Sequence, residues 1–203
     1  MNPRVVKRFI IICLITTAVI FTANTFFQEF FQGTPGDFYT RQGDIHLGSK
    51  KFDDALVSFG KALEEAPDHR GALMGRALVF MQREEYSKAT SELTYLIDFL
   101  NKNLDPEDLT GVGTLSAAYA NRGIIQDRLG KYQAAFDDYV LALKTDEEAI
   151  DGPSLFDKIL YGNSKPSTVR DRAIYIHKQL QLPPEKRLLR VLEIDNKQRM
   201  YKP

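Results

Sequence analysis

A tyrosine at position 39 is followed by Gly43, Phe52, Ala55, Phe59 and Ala62, and the series returns, interval for interval, as Tyr119, Gly123, Tyr132, Ala135, Tyr139 and Ala142. A looser copy lies between them in Leu73, Ala77, Phe80, Tyr86, Ala89, Leu93 and Leu96. Self-similarity at fixed spacing limits a fold severely, because every unit must offer its neighbour the same face. The small residues Gly43, Ala77 and Gly123 let one helix lie close against a second, and Ala55, Ala89 and Ala135 do the same from the second helix. Phe59, Leu93 and Tyr139 supply the volume between units. Phe52, Tyr86 and Tyr132 mark a common start for the second helix. Pro67 ends a helix, since its ring removes a donor and cannot continue the turn.

This pattern resembles the tetratricopeptide repeat, a helix–turn–helix of roughly 34 residues. The resemblance implies an all-α solenoid of about three repeats, in register at 36–69, 70–103 and 116–149. An insertion at about 104–115 separates the second and third repeats. Within it Asp105 is the expected N-cap, with Pro106 in the first helical turn, while Gly111 and Gly113 loosen the chain. The insertion is expected to lengthen the second helix of repeat two and its turn. Such arrays bind peptides or protein segments on a concave face lined by their first helices. Here that face would comprise Thr40, Asp44 and Leu47 from repeat one, Met74, Leu78 and Met81 from repeat two, and Asn121, Ile124 and Arg128 from repeat three. It is apolar and rich in methionine, which adapts to varied partners. The alternative is that some of these side chains pack against the next helix. Arrays that clamp chaperone C-termini use Lys and Asn at set positions. Thr40 and Asp44 stand at the first of them and only Asn121 fits, so the resemblance does not extend to that partner.

The N-terminal stretch has a different character. Residues 1–8 carry Arg4, Lys7 and Arg8 without an acid, and residues 9–28 carry no charge at all. About 20 apolar residues suffice to cross the hydrocarbon core of a bilayer, so 9–31 is expected to be one transmembrane signal-anchor helix. The basic flank 1–8 would be retained in the cytoplasm, placing the repeats on the periplasmic side of a bacterial inner membrane. Phe26, Phe27, Phe30 and Phe31 would form an aromatic stripe at the membrane surface. Cleavage as a signal peptide is disfavoured, because Ala23 has Phe21 two places before it and Ala18 sits mid-run. Lipidation at Cys13 is disfavoured by the bulky Ile10, Ile11 and Ile12 before it.

Beyond the third repeat, residues 150–191 are expected to form capping helices with a polar outer face. One short helix would cover 154–161, a longer one 164–182, and a further turn or two would follow Pro183 and Pro184. The tail 192–203 has no apolar period. It is either draped over the surface or a docking peptide, with Lys197, Arg199, Met200 and Tyr201 as its contact residues.

Chemistry-bearing constellations are missing from the sequence. The 27 Lys and Arg balance 27 Asp and Glu, which argues against nucleic acid. Cys13 is the only cysteine. His46, His69 and His177 do not fall at metal-ligand spacing, and no nucleophile elbow or dinucleotide fingerprint occurs. The adjacent carboxylates Asp53 and Asp54, Glu64 and Glu65, Asp137 and Asp138, and Glu147 and Glu148 read as solvated faces. The expectation is therefore no enzyme, no catalytic residue, no metal, no cofactor and no small-molecule substrate. The chain reads as a membrane-anchored protein-interaction module, a scaffold or assembly factor for a membrane or periplasmic complex. The alternative is a stoichiometric accessory subunit of such a complex.

Overall fold

The computed structural model describes residues 3–31, 33–146 and 168–191, with the side chains of 3–5, 8 and 23–31 excepted. These residues form eight α-helices, and no strand occurs among them. In chain order they are α1 (Pro3–Phe31), α2 (Asp37–Gly48), α3 (Phe52–Glu65), α4 (Arg70–Gln82), α5 (Tyr86–Asn103), α6 (Leu109–Arg128), α7 (Tyr132–Thr145) and α8 (Val169–Leu180). A 3₁₀ turn, Pro184–Lys186, follows α8. From α2 to α7 the helices pair as three hairpins, each laid against the next.

The three hairpins share one turn. Lys51, Glu85 and Lys131 donate their amides to the carbonyls of His46, Phe80 and Gln126 at 2.9, 2.8 and 2.8 Å. Lys50, Glu84 and Gly130 before them have φ of 57°, 59° and 76°. This is a Schellman stop, in which a left-handed residue turns the last amides back onto orphan carbonyls. The aromatic that opens each second helix follows directly.

Packing between hairpins depends on small residues. The Phe59 ring lies between α2 and α4, where a Cβ on Gly43 would meet it at 2.5 Å and one on Gly75 at 2.3 Å. Phe59 belongs to a buried cluster with Ala55, Ala62, Ala72 and Val79, which joins α3 to α4. Leu93 and Tyr139 serve the larger cluster spanning α4 to α8, and a Cβ on Gly123 would meet the Tyr139 ring at 2.7 Å.

The insertion folds differently from the sequence expectation. The helix begins at Leu109, its N-cap is Asp108, and Gly111 and Gly113 are buried inside α6 rather than loosening a loop. Asp108 accepts from the Gly111 amide at 2.9 Å and pairs with Arg70 at the start of α4. Asp105 instead caps the turn, accepting from the Glu107 amide at 2.9 Å. Both facing helices lengthen: α5 has 18 residues and α6 has 20, against 14 for α3 and for α7.

At the C-terminal end α8 packs on α7, burying Val169, Arg172, Ala173 and Ile176. It starts at Val169 with Thr168 as its cap. Of the further turn or two expected after Pro183 and Pro184, the structure has the 3₁₀ turn Pro184–Lys186, and residues 187–191 then run back along α8. Gln179 accepts the Leu188 amide at 2.7 Å, and Arg172 donates to the Leu189 carbonyl at 3.0 Å. The expected helix over 154–161 lies outside the described residues.

α1 is helical over Pro3–Phe31, but the expected transmembrane span over 9–31 is not met in that form. Among the described residues no helix is long and apolar enough to cross a membrane. The side chains of 23–31 lie outside that description, and the sequence itself carries no charge over 9–28.

Candidate functional site

The first helices of the repeats were expected to present an open groove. Met74 (1% exposed), Leu78 (5%), Met81 (1%) and Ile124 (1%) are instead buried in the main core. Asn121 is buried as well, its Nδ2 donating to Met74 Sδ at 3.5 Å. Thr40 is buried, with Oγ1 3.4 Å from His69 Nδ1. Asp44 and Leu47 are half-buried, and of the nine residues only Arg128 is exposed. The correction has a packing cause. α4 rests against both α2 and α6, so side chains aimed at a groove meet the neighbouring first helix. Between Gly111 and Ile125 only Val112 and Arg122 escape full burial. The expected anchor residues Phe26, Phe27, Phe30 and Phe31 lie on α1, where side chains are not described, and Lys197, Arg199, Met200 and Tyr201 lie outside the described residues.

One of the carboxylates read as a solvated face is also buried. Asp138 is 3% exposed and accepts from Arg122 Nε and Nη2, both at 2.8 Å. Arg76 and Glu92 form the corresponding pair one repeat earlier, at 2.8 Å. Each locks the first helix of a repeat to its second. A third tie crosses to the C-terminal helix, where Arg172 grips Asp127 at 2.6 and 2.7 Å and the Tyr139 hydroxyl donates to the same carboxylate at 3.2 Å. Arg122 and Arg172 hold their carboxylates in bidentate geometry, the arrangement best able to offset the cost of burying charge, whereas Arg76 reaches Glu92 through Nη2 alone. Asp138 in turn raises the Arg122 pKa above its ordinary value, chiefly through this hydrogen bond.

The accessible recess lies elsewhere, along the edge where the first helices begin. An open cleft of about 590 Å³ runs between the loops before α2, α4 and α6 and the end of α5. Pro35, Ala66, Phe99, Leu100 and Leu104 give it an apolar lining. Its rim is polar and internally tied. His69, the N-cap of α4, accepts the Ala72 amide on Nδ1 at 3.2 Å. That leaves its proton on Nε2, which donates to Asp37 at 2.9 Å. The Asp37 pKa is lowered, first by this bond. Arg70 lowers that of Asp108, assisted by the Gly111 amide. The Tyr95 hydroxyl donates to Asp68, which pushes the phenol up. The recess offers a place for an apolar side chain between polar loops. Among the described residues no group of three or more His, Cys, Asp or Glu could hold a metal ion. Sequence reasoning missed the recess because its wall comes from loops, and the signal available was the run Asp68, His69, Arg70 after Pro67.

Comparison with known proteins bears on the fold. Residues 40–97, from α2 into α5, match the family model described as Tetratricopeptide repeat. No curated protein matches the chain. Among solved structures it is similar to the first TPR of Spaghetti (RPAP3) bound to the HSP90 peptide SRMEEVD, at 16% identity and a TM-score of 0.52, over 73% of this chain and 94% of that one. It is also similar to the Arabidopsis OM64 TPR domain, at 18% identity and a TM-score of 0.47, over 56% of this chain and 84% of that one. The chain thus carries the tetratricopeptide sequence pattern over 40–97 and shares the all-α repeat fold of such proteins.

Proposed function

We propose that this chain is a tethered protein-interaction module, a scaffold or assembly factor that binds another polypeptide and performs no catalysis. The observation that carries the reading is how the hairpin stack spends its polar groups. Arg76, Arg122, Arg172 and their carboxylates hold helix to helix, leaving the loop-edge cleft as an open surface with an apolar lining. A peptide segment placing an apolar side chain there would be held by burial and oriented by the polar rim, the usual division of labour at small binding sites.

The tether is α1. Phe9, Ile10, Ile11, Ile12, Leu14, Ile15, Val19, Ile20 and Phe21 are all exposed, between 46% and 69%. Leaving that many large apolar side chains in water forgoes roughly 1.5–3 kcal/mol each, which favours a lipid environment for the helix. Its hydroxyls suit lipid too. Thr16 donates to Ile12 O at 3.0 Å, Thr17 to Cys13 O at 2.8 Å and Thr22 to Ala18 O at 3.0 Å, so these polar atoms do not depend on water. With Arg4, Lys7 and Arg8 in its first two turns, the helix would keep its start in the cytoplasm and display the repeats on the far, periplasmic side.

Gentle detergent extraction of the tagged chain from its native membrane, with native sizing and mass spectrometry, tests both halves. The expected result is membrane-associated protein with substoichiometric partners, whose recovery drops several-fold when Asn103→Arg narrows the cleft. Recovery from the soluble fraction would sink the tether. Partner recovery unchanged by Asn103→Arg would move the binding surface away from the cleft. A single complex of fixed stoichiometry would make the chain a permanent accessory subunit instead.

A further inference from the structure

Repeat register isolates one unusual face. On α4 the residues that close onto the preceding α3 are Ala72, Gly75 and Val79. Ala72 and Val79 are 0% exposed and cluster with Ala55, Phe59 and Ala62, and Gly75 has no room for a Cβ beside Phe59. Their counterparts on α6 are Ala118, Asn121 and Ile125, all 0% exposed. Ala118 and Ile125 share a cluster with Ala89, Leu93 and Leu96 of the preceding α5. The counterparts on α2 are Phe38, Arg41 and Ile45. Phe38 is 64% exposed and Ile45 69%, and Arg41 between them is exposed too.

A further hairpin would not fit this face as the others fit theirs. Close helix approach in this array uses Ala, Gly and Val on α4 and Ala, Asn and Ile on α6, and Phe38 and Arg41 are far bulkier than either counterpart. An aromatic ring, a guanidinium and a branched aliphatic on one helical stripe suit the headgroup boundary of a bilayer. There the ring and aliphatic chain enter the acyl edge and the cation meets phosphate. Exposed Lys50 and Lys51 follow α2 and are balanced by exposed Asp53 and Asp54 at the start of α3, so Arg41 is the cation of the face itself, whereas Asp37 is turned onto His69. Only residues 32–36 separate α1 from α2. At about 3.3–3.6 Å per residue that is a reach of roughly 20 Å at most.

We propose that the outer face of α2, formed by Phe38, Arg41 and Ile45, rests on the phospholipid surface beside the point where α1 enters. This rests on reading α1 as a bilayer anchor. The solenoid then stands off the membrane, with α2 lowest and α8 farthest away.

The chain has no tryptophan, so a single introduced indole reports its own depth. Full-length Phe38→Trp, Phe21→Trp on α1 and Leu141→Trp on α7 would each be reconstituted in vesicles of anionic phospholipid brominated high on the acyl chain. The expected result is quenching of Phe21→Trp and Phe38→Trp by about two-fold or more, as for an interfacial indole, with Leu141→Trp unaffected. Adding Arg41→Glu to Phe38→Trp should relieve part of its quenching. Quenching of Phe21→Trp alone would overturn the docking face and leave the anchor standing. No quenching at either site would overturn both. A blue-shifted, unquenched Phe38→Trp that depends on protein concentration would overturn the lipid assignment in favour of a second copy of the chain.

Discussion

At Lys50 and Glu84 the backbone is left-handed, with φ of 57° and 59°, a region that costs a residue with a Cβ roughly 1–2 kcal/mol. The third turn has Gly130 there instead. Glu84→Gly should therefore stabilise the fold by about 0.5 kcal/mol, the relief of strain outweighing the extra freedom of glycine in the unfolded chain; a higher urea midpoint at unchanged slope would show it. Gly75→Ala should do the reverse, by about 1–3 kcal/mol, since its Cβ would fall 2.3 Å from the Phe59 ring. Gly43 and Gly123 were legible in the sequence because the repeat copies them. Gly75 was not, because its counterparts are Arg41 and Asn121 and only the third dimension shows the ring beside it. Acid sensitivity also belongs to single residues. Asp37 and Asp108 both titrate below the ordinary 3.8 when folded. Their contribution is thus present above that pH and is lost as pH falls through the lower folded values. Asp108→Asn keeps a capping oxygen but loses the charge paired with Arg70, so its stability should fall less steeply below pH 3.8 in acid titrations followed by circular dichroism.

Helices were legible where apolar spacing repeats, and their ends where a proline or a small polar cap intervenes. The ties between them were not. A charged residue on a helix reads as solvent-facing, and neither Arg122 with Asp138 nor Arg172 with Asp127 declares its partner by spacing along the chain. The groove residues Met74, Leu78 and Ile124 failed for the converse reason. Their register was right, but whether a first helix faces solvent depends on how closely its neighbours lie. Of the ties, that of Arg172 to Asp127 is the most buried, at 1% and 4% side-chain exposure. Removing one partner strands the other charge, so Arg172→Met should cost about 3–5 kcal/mol. Hydrogen exchange should then show α8 opening before α2 to α7. Replacing both residues with apolar ones of similar size should recover much of the loss, whereas equal loss in the single and double variants would assign the cost to packing alone.

At the scale of the molecule, the described helices from α2 to α8 form a line in which substantial contacts run only between consecutive or next-but-one elements. That order was legible as soon as the period was. Which end meets a surface was not, because the exposure of Phe38 and Ile45 gains meaning only beside the burial of Ala72 and Val79. A line of this kind has its interfaces in series. A load applied between α1 and α8 passes through each in turn, with no long-range staple among the described residues to share it, so such a molecule behaves as an extensible spring. Held at the bilayer and pulled by a bound partner, it should lengthen hairpin by hairpin, giving a staircase rather than a single rupture in a force–extension trace.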